Sequence, residues 1–588
     1  MATYELPKDG RFKQLNTGDI FGDIWSSWNI DTFSSPGKLR LARPLRQIRD
    51  DSDLDTDIAQ AIIYAELNNS GERLWVVTRG DLYSGSGTDY ATQENPLPWS
   101  LASSNPSSAT DAEVFQGQLV IVTNQNLDAY DGNTFTSNWW TGISGYSSTY
   151  AIPSTNPSPD VPVLLKRLRI GTETLVVTAG SSIHAYSGTI AGTGTLTTVD
   201  LDDSMIAVCV EAGLSNVFIG TYSLTGEEAL VYNWDGASTN TTESYPSGAK
   251  AVLAMALVDN TPLIVTEKGE IKLFNNVGFT TVARFPFSLE SVFPAANNSY
   301  SNSNHNNRAI HPKGIKVVDD KVYMFINFPI TAPGENIPPS RSPGGIWVLD
   351  TKTMSLSHLA SPRNEQVFDR VGPLEYIQNE EGRIITGADS PTTGVGVWSE
   401  DLRSNSTQYG YFVTSEINAD SVEDNFSHII VKALLGSSDS VVVKYRGDRD
   451  VQLPIYSTVV WANATTFNTQ DDLSYIKTRF DAGKRDEIEI TTGTSAGRLA
   501  HVTDIQYNGS TYEVTIDESL GTASTESKLR FDNWVKIPET MTAEDGGVKR
   551  LGVGEVSSWI QFKIEMRGQA ERPEVRELQI FTNTKQGK

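Results

Sequence analysis

The chain has 588 residues with one Cys, Cys209, and carries 72 Asp and Glu against 47 Lys and Arg, a formal charge of −25. A single Cys excludes an internal disulfide and any Cys-rich zinc site, and the acidic balance argues against binding along phosphate backbones, which needs clustered cations. Apolar residues at 38 % suffice for a packed core, whereas no run of 18 uncharged apolar residues exists to span a bilayer, and the polar stretch 1–23 lacks the apolar segment of a secretory signal.

Along the chain, the first informative segment is an amino-terminal arm. Trp25-Ser26-Ser27-Trp28-Asn29-Ile30 leads through Pro36-Gly37 to a stretch in which cations and apolar residues largely alternate: Lys38, Arg40, Arg43, Arg46 and Arg49 among Leu39, Leu41, Leu45 and Ile48. Alternation puts the two kinds on opposite faces of a strand, and Pro44 suits an edge. Two uses compete: a solvated strand that closes a larger β-structure, or a docking strand whose five cations meet an acidic neighbouring subunit. These five residues are the candidate interface.

From residue 61 onward, short β-branched runs recur: Leu74–Thr78, Leu119–Thr123, Leu175–Ala179, Val217–Thr221, Leu263–Thr266, Val322–Asn327 and Arg383–Gly387. Each precedes a strand carrying an aromatic, namely Tyr83, Tyr130, Tyr186, Tyr232, Phe274, Trp347 and Trp398, spaced 47, 56, 46, 42, 73 and 51 residues apart. All-strand repeats of about 40 to 50 residues predict a β-propeller of about seven blades, with the apolar runs as its inner strands. Asp131-Gly132 and Asp235-Gly236 fit tight hairpins that need positive φ. The stretches 297–304 and 333–339, rich in Asn, Ser, Pro and Gly, read as long surface loops.

The pattern changes after residue 405. His428–Leu435, Ser440–Arg446, Trp559–Arg567 and Val575–Phe581 are longer strands, and the period-two alternation of Trp559–Arg567 predicts an antiparallel β-sandwich with one solvated face. Between its halves, Gly497–Ile505 and Tyr512–Asp517 flank an Asn508-Gly509 turn, the mark of a small inserted β-barrel, expected to be separable from the sandwich. The resulting organisation is all-β: 1–60 arm and closing strand, 61–405 propeller, 406–452 plus 540–588 sandwich, and 453–538 inserted barrel.

Chemistry is sparse. His184, His305, His311, His358, His428 and His501 show no metal-ligand spacing, only His305 and His311 being close in sequence. Cys209 lies in an apolar strand, Gly-x-Ser-x-Gly is absent, and the acids are dispersed rather than paired, Asp131 and Asp235 being turn residues. No catalytic residue, metal site or cofactor is expected. Trp139-Trp140 are candidate exposed aromatics for a receptor- or carbohydrate-binding alternative; a polysaccharide-cleaving enzyme with an unrecognised carboxylate pair is a further, weaker alternative.

Four features together, Phe21–Ile30 before the basic arm, the degenerate sevenfold strand repeat, the insert from Ser495-Ala496-Gly497-Arg498 to Asp517, and the closing Trp559–Phe581 strands, resemble β-propeller tail proteins of tailed bacteriophages, particularly nozzle and tail-tip components. The resemblance implies a structural virion protein without turnover, made in the host cytoplasm and built into the tail. It implies a homo-oligomeric ring around or near the DNA channel, with sixfold stoichiometry favoured. Other tail proteins would be partners, with the host surface as a further contact and no sequence-specific nucleic acid.

Overall fold

The structure, a computed structural model, describes residues 2–4, 24–32, 38–49, 58–78, 80–86, 100–103, 109–123, 126–140, 164–168, 173–190, 192, 194–241, 243–285, 289, 309–327, 344–360, 370–377, 383–390, 394–400, 408–418, 425–447, 454–491, 499–568 and 572–583. The expected loops at 297–304 and 333–339 lie outside these residues, as do His305 and 495–498.

Within them the chain is all-β apart from the helix Ser474–Asp481 and a short 3₁₀ turn, Ala543–Asp545. Seven four-stranded antiparallel sheets follow one another. Their first strands are Ala61–Leu67, Ala109–Phe115, Leu164–Leu168, Met205–Ala212, Val252–Val258, Ile310–Val318 and Arg370–Ile377. Each first strand packs against the next, and the seventh packs against the first, so the sheets form a closed cycle. Six of the sheets are local meanders. The seventh takes its outermost strand, Leu45–Arg49, from the arm, paired with Gly394–Glu400.

The seven apolar runs form the second strand of each sheet, not the innermost one. A second strand has a hydrogen-bonded neighbour on both edges and a packed sheet on both faces, so its side chains are apolar throughout; Leu74, Val76, Leu119, Val120, Leu175 and Val176 are all fully buried. First strands border the axis of the cycle and therefore carry charges. The predicted aromatics all fall on third strands.

Two further sheets share one core that includes Phe412, Phe426, Ile429, Val443, Phe562 and Leu578. The smaller runs Ile30–Asp31, Leu39–Leu41, Glu574–Asn583, Asn425–Leu434, Val548–Val556, with Ala2–Tyr4 also on Glu574–Asn583. The larger has eleven strands and includes Ile24–Trp28, Gln408–Thr414, Trp559–Gly568 and Ser440–Gly447 before reaching Glu526–Thr542. From there six strands close on themselves, because Asp486–Ile490 pairs back onto Glu526–Thr542.

The expected limit at 538 to 540 falls inside Glu526–Thr542, whose carboxy-terminal half pairs with Ser440–Gly447 and whose amino-terminal half pairs with Ile455–Trp461. One strand is therefore common to the closed six-strand unit and to the rest of the larger sheet. Its Asn508 turn forms as expected: Gly509 has φ 97°, and Asn508 Oδ1 accepts the N–H groups of Ser510 and Thr511 at 3.0 and 2.9 Å.

Candidate functional site

The arm is two strands rather than one. Leu39–Leu41 joins the smaller carboxy-terminal sheet, and Leu45–Arg49 joins the seventh sheet of the cycle. Ala42-Arg43-Pro44 turns the chain between them, as a residue lacking an N–H should. Leu39, Leu41 and Leu45 are buried, as the alternation requires.

The cations first meet this chain's own acids. Lys38, Arg40 and Arg576 converge on Glu574, at 3.3, 2.6 and 2.9 Å. Burial alone would raise this carboxyl, and the three cations hold it below its ordinary value. Arg572 pairs with Asp31 at 2.7 Å and donates to the Leu41 carbonyl at 2.7 Å. Arg43 acts electrostatically on both Glu400 and Arg572. Arg46 stands opposite Ser399 in the ladder with its side chain exposed, and Arg49 stands opposite Val397. Cations thus outnumber acids here, and Lys38 remains 41 % exposed.

Trp28 and Asn29 fix the same segment to the sixth sheet. Trp28 stacks on His358 at 5.8 Å, and Trp347, paired with His358 in the same sheet, lies edge-on to that imidazole at 5.2 Å. Asn29 N–H lies 3.3 Å from His358 Nδ1, so Nε2 carries the proton and donates to the Gly344 carbonyl at 3.1 Å. Burial drives the His358 pKa down to about 4.

A second polar constellation occupies the axis of the cycle. Asp111, on the second sheet, is 1 % exposed. It accepts Leu165 N–H at 2.7 Å and Ala112 N–H at 2.8 Å, and it pairs with Lys313 of the sixth sheet at 2.8 Å. Lys313 also donates to the Ala112 carbonyl at 2.6 Å. Sheets two and six are not neighbours, so this pair crosses the axis. Lys166–Glu211 (2.7 Å) and Lys316–Glu375 (2.6 Å) tie adjacent sheets. Lys313→Met should cost about 2 kcal/mol, the worth of a charged hydrogen bond to a buried carboxylate, read as a lower midpoint in urea unfolding.

The third constellation was hidden by its own regularity. Alternation along Trp559–Gly568 predicts solvated polar residues, yet Gln561, Lys563 and Glu565 are 1 %, 4 % and 3 % exposed. The closed six-strand unit covers them and contributes Glu487, itself fully buried. Lys444 contacts Glu487 and pairs with Glu565 at 2.6 Å. Lys563 lies 3.3 Å from Glu487 and 3.2 Å from Glu565, above the Tyr411 ring. Burial would raise Glu565, and the two lysines hold it below its ordinary value.

Other candidates serve structure. Cys209 is buried in the fourth sheet. Trp139 and Trp140 are not an exposed platform: both pack on Tyr186, at 5.5 and 5.6 Å, against a core shared by sheets two and three. The Asp131 and Asp235 carboxylates cap their own turns, and these N–H bonds hold both below the usual range. His311 Nδ1 accepts the Lys313 N–H at 3.1 Å.

No family model and no curated protein sequence matches the chain. Among solved structures it is similar to the CNH domain of AfRom2 (9 % identity, TM-score 0.37, covering 61 % of this chain and 99 % of that one). It is also similar to the WD40 β-propeller domain of Doa1 (10 % identity, TM-score 0.36, 59 % and 94 %) and to the computationally designed Ika8 protein (14 % identity, TM-score 0.33, 58 % and 83 %).

Proposed function

We propose that this chain is an architectural subunit: a seven-bladed β-propeller welded to a β-sandwich with a built-in barrel, working as a structural tail component of a tailed bacteriophage. The observation that carries the proposal is the segment 24–49. It contributes strands to both carboxy-terminal sheets and to the seventh sheet of the cycle, so the two bodies cannot swing apart without breaking strand pairing. Hinged domains suit turnover and gating, whereas a joint sewn by strands on both sides suits a load-bearing part. The surplus of cations beside that joint, in a chain of charge −25, supplies an assembly surface. The role is assembly into a homo-oligomeric ring in the virion tail, without catalysis.

Native mass spectrometry of the purified full chain at micromolar concentration tests this. A single closed stoichiometry, six being favoured, is the expected result. A chain that stays monomeric under all salt conditions overturns the proposal.

A further inference from the structure

The charge of this protein is divided between two ends of the cycle. Between residues 170 and 249 there are nine Asp and Glu and not one Lys or Arg. That stretch builds the second to fourth strands of the third sheet and all of the fourth. Asp200, Asp202, Asp203, Glu227, Glu228 and Glu243 are exposed there. Leu224 N–H donates to the Ser204 carbonyl at 2.8 Å, which places the turn carrying Glu227-Glu228 beside the turn carrying Asp202-Asp203. The arm, by contrast, has five cations and no acid between residues 38 and 49. It completes the seventh sheet, and in a cycle of seven the third and fourth sheets are the two that stand opposite the seventh.

From this, resting on the assembly reading above, we infer that copies of this chain contact one another head to tail, the acidic rim of sheets three and four on one copy docking against the basic arm of the next. The occupant of each surface is a second copy, because each copy carries both complements and their charges match. Such a contact is heterologous: one patch meets a different patch, and the chain of contacts closes into a ring when the rotation per copy permits. Arg46 is exposed, and Lys38, although 3.3 Å from Glu574, keeps 41 % of its side chain exposed toward a neighbour. Apposed surface charges of this kind are screened beyond about 8 Å at physiological salt, so the contact should weaken as salt is raised.

Three proteins test the inference: the wild type, a rim variant (Asp203→Lys with Glu227→Lys) and an arm variant (Lys38→Glu with Arg46→Glu), each checked for an unchanged melting transition. Sedimentation velocity at low salt should show the wild type assembled, and each variant alone at least about tenfold weaker in self-association. An equimolar mixture of the two variants should assemble again, since a basic rim then meets an acidic arm. If the wild type assembles and the rim variant does so equally well, this inference fails while the assembly reading stands. If the wild type never assembles, both fail. Loss in both variants without recovery in the mixture also rejects direct pairing of the two surfaces.

Discussion

Glu487→Ala should destabilise the protein by about 3–5 kcal/mol, the cost of removing one partner from a buried ionic group. Glu487 is fully buried and touches Lys444 and Lys563. Without it two ammonium groups share the single carboxylate of Glu565 in a site that water does not reach. Chemical denaturation of the purified variant reads this as a large fall in midpoint. The quadruple variant Lys444→Met, Glu487→Leu, Lys563→Met, Glu565→Leu should recover most of the loss, because apolar side chains of similar volume then replace the whole buried ionic cluster at little net cost. A single variant as stable as the wild type would mean that water reaches the cluster. The same geometry predicts that replacing 454–538 by a Gly-Ser linker abolishes cooperative unfolding, since that deletion removes Glu487 and most of the 17-residue strand Glu526–Thr542.

The second large effect is acid lability of the joint at His358. Its folded pKa is about 4, against an ordinary value of 6.5. Above pH 6.5 the imidazole is neutral in both folded and unfolded chains and contributes no pH dependence. Between pH 6.5 and 4 the unfolded chain binds a proton that the folded chain does not, so stability falls as pH falls, by up to about 3 kcal/mol, and the slope ends below pH 4. Protonation at Nδ1 would also set a second N–H against that of Asn29. His358→Gln keeps a donor for the Gly344 carbonyl and does not titrate. It should be less stable than the wild type at pH 7, with the difference shrinking toward pH 4. Parallel stability curves for the two proteins across that range would refute the assignment.

Strand character and repeat spacing were legible because β-branched runs and turn residues act locally: Asp131-Gly132 and Asn508-Gly509 make the turns their composition implies. Three features were not. Lys563 and Glu565 alternate with Phe562 and Ile564, and the alternation cannot reveal that Glu487, distant in sequence, covers the polar face. The apolar runs looked like the innermost strands because maximal burial suggests centrality. In a cycle of sheets, however, the most enclosed strand is the second, and the first must tolerate ions such as Asp111 and Lys313. The arm read as one strand because Leu and Arg alternate through Pro44, although the proline marks the point where the chain leaves one sheet for another. Trp139 and Trp140 show a further limit, since aromatics next to each other in sequence need not project together into solvent.

The pairing of the arm also sets a timetable for synthesis. Arg40 lies beside Glu574 in the folded protein although the two are 534 positions apart in the chain, and Leu45–Arg49 waits for Gly394–Glu400. At about 5–20 residues per second, the ribosome needs roughly half a minute to two minutes to produce the partner of Arg40. During that time six sheets can form in order, the seventh is completed when Gly394–Glu400 emerges and takes up Leu45–Arg49, and Leu39–Leu41 stays unpaired until Glu574–Asn583 is made. A chain broken off early would keep exposed edges on the seventh sheet and on the arm, in the form that proteases and chaperones recognise. Completion of the fold therefore doubles as a check that translation reached the closing strands.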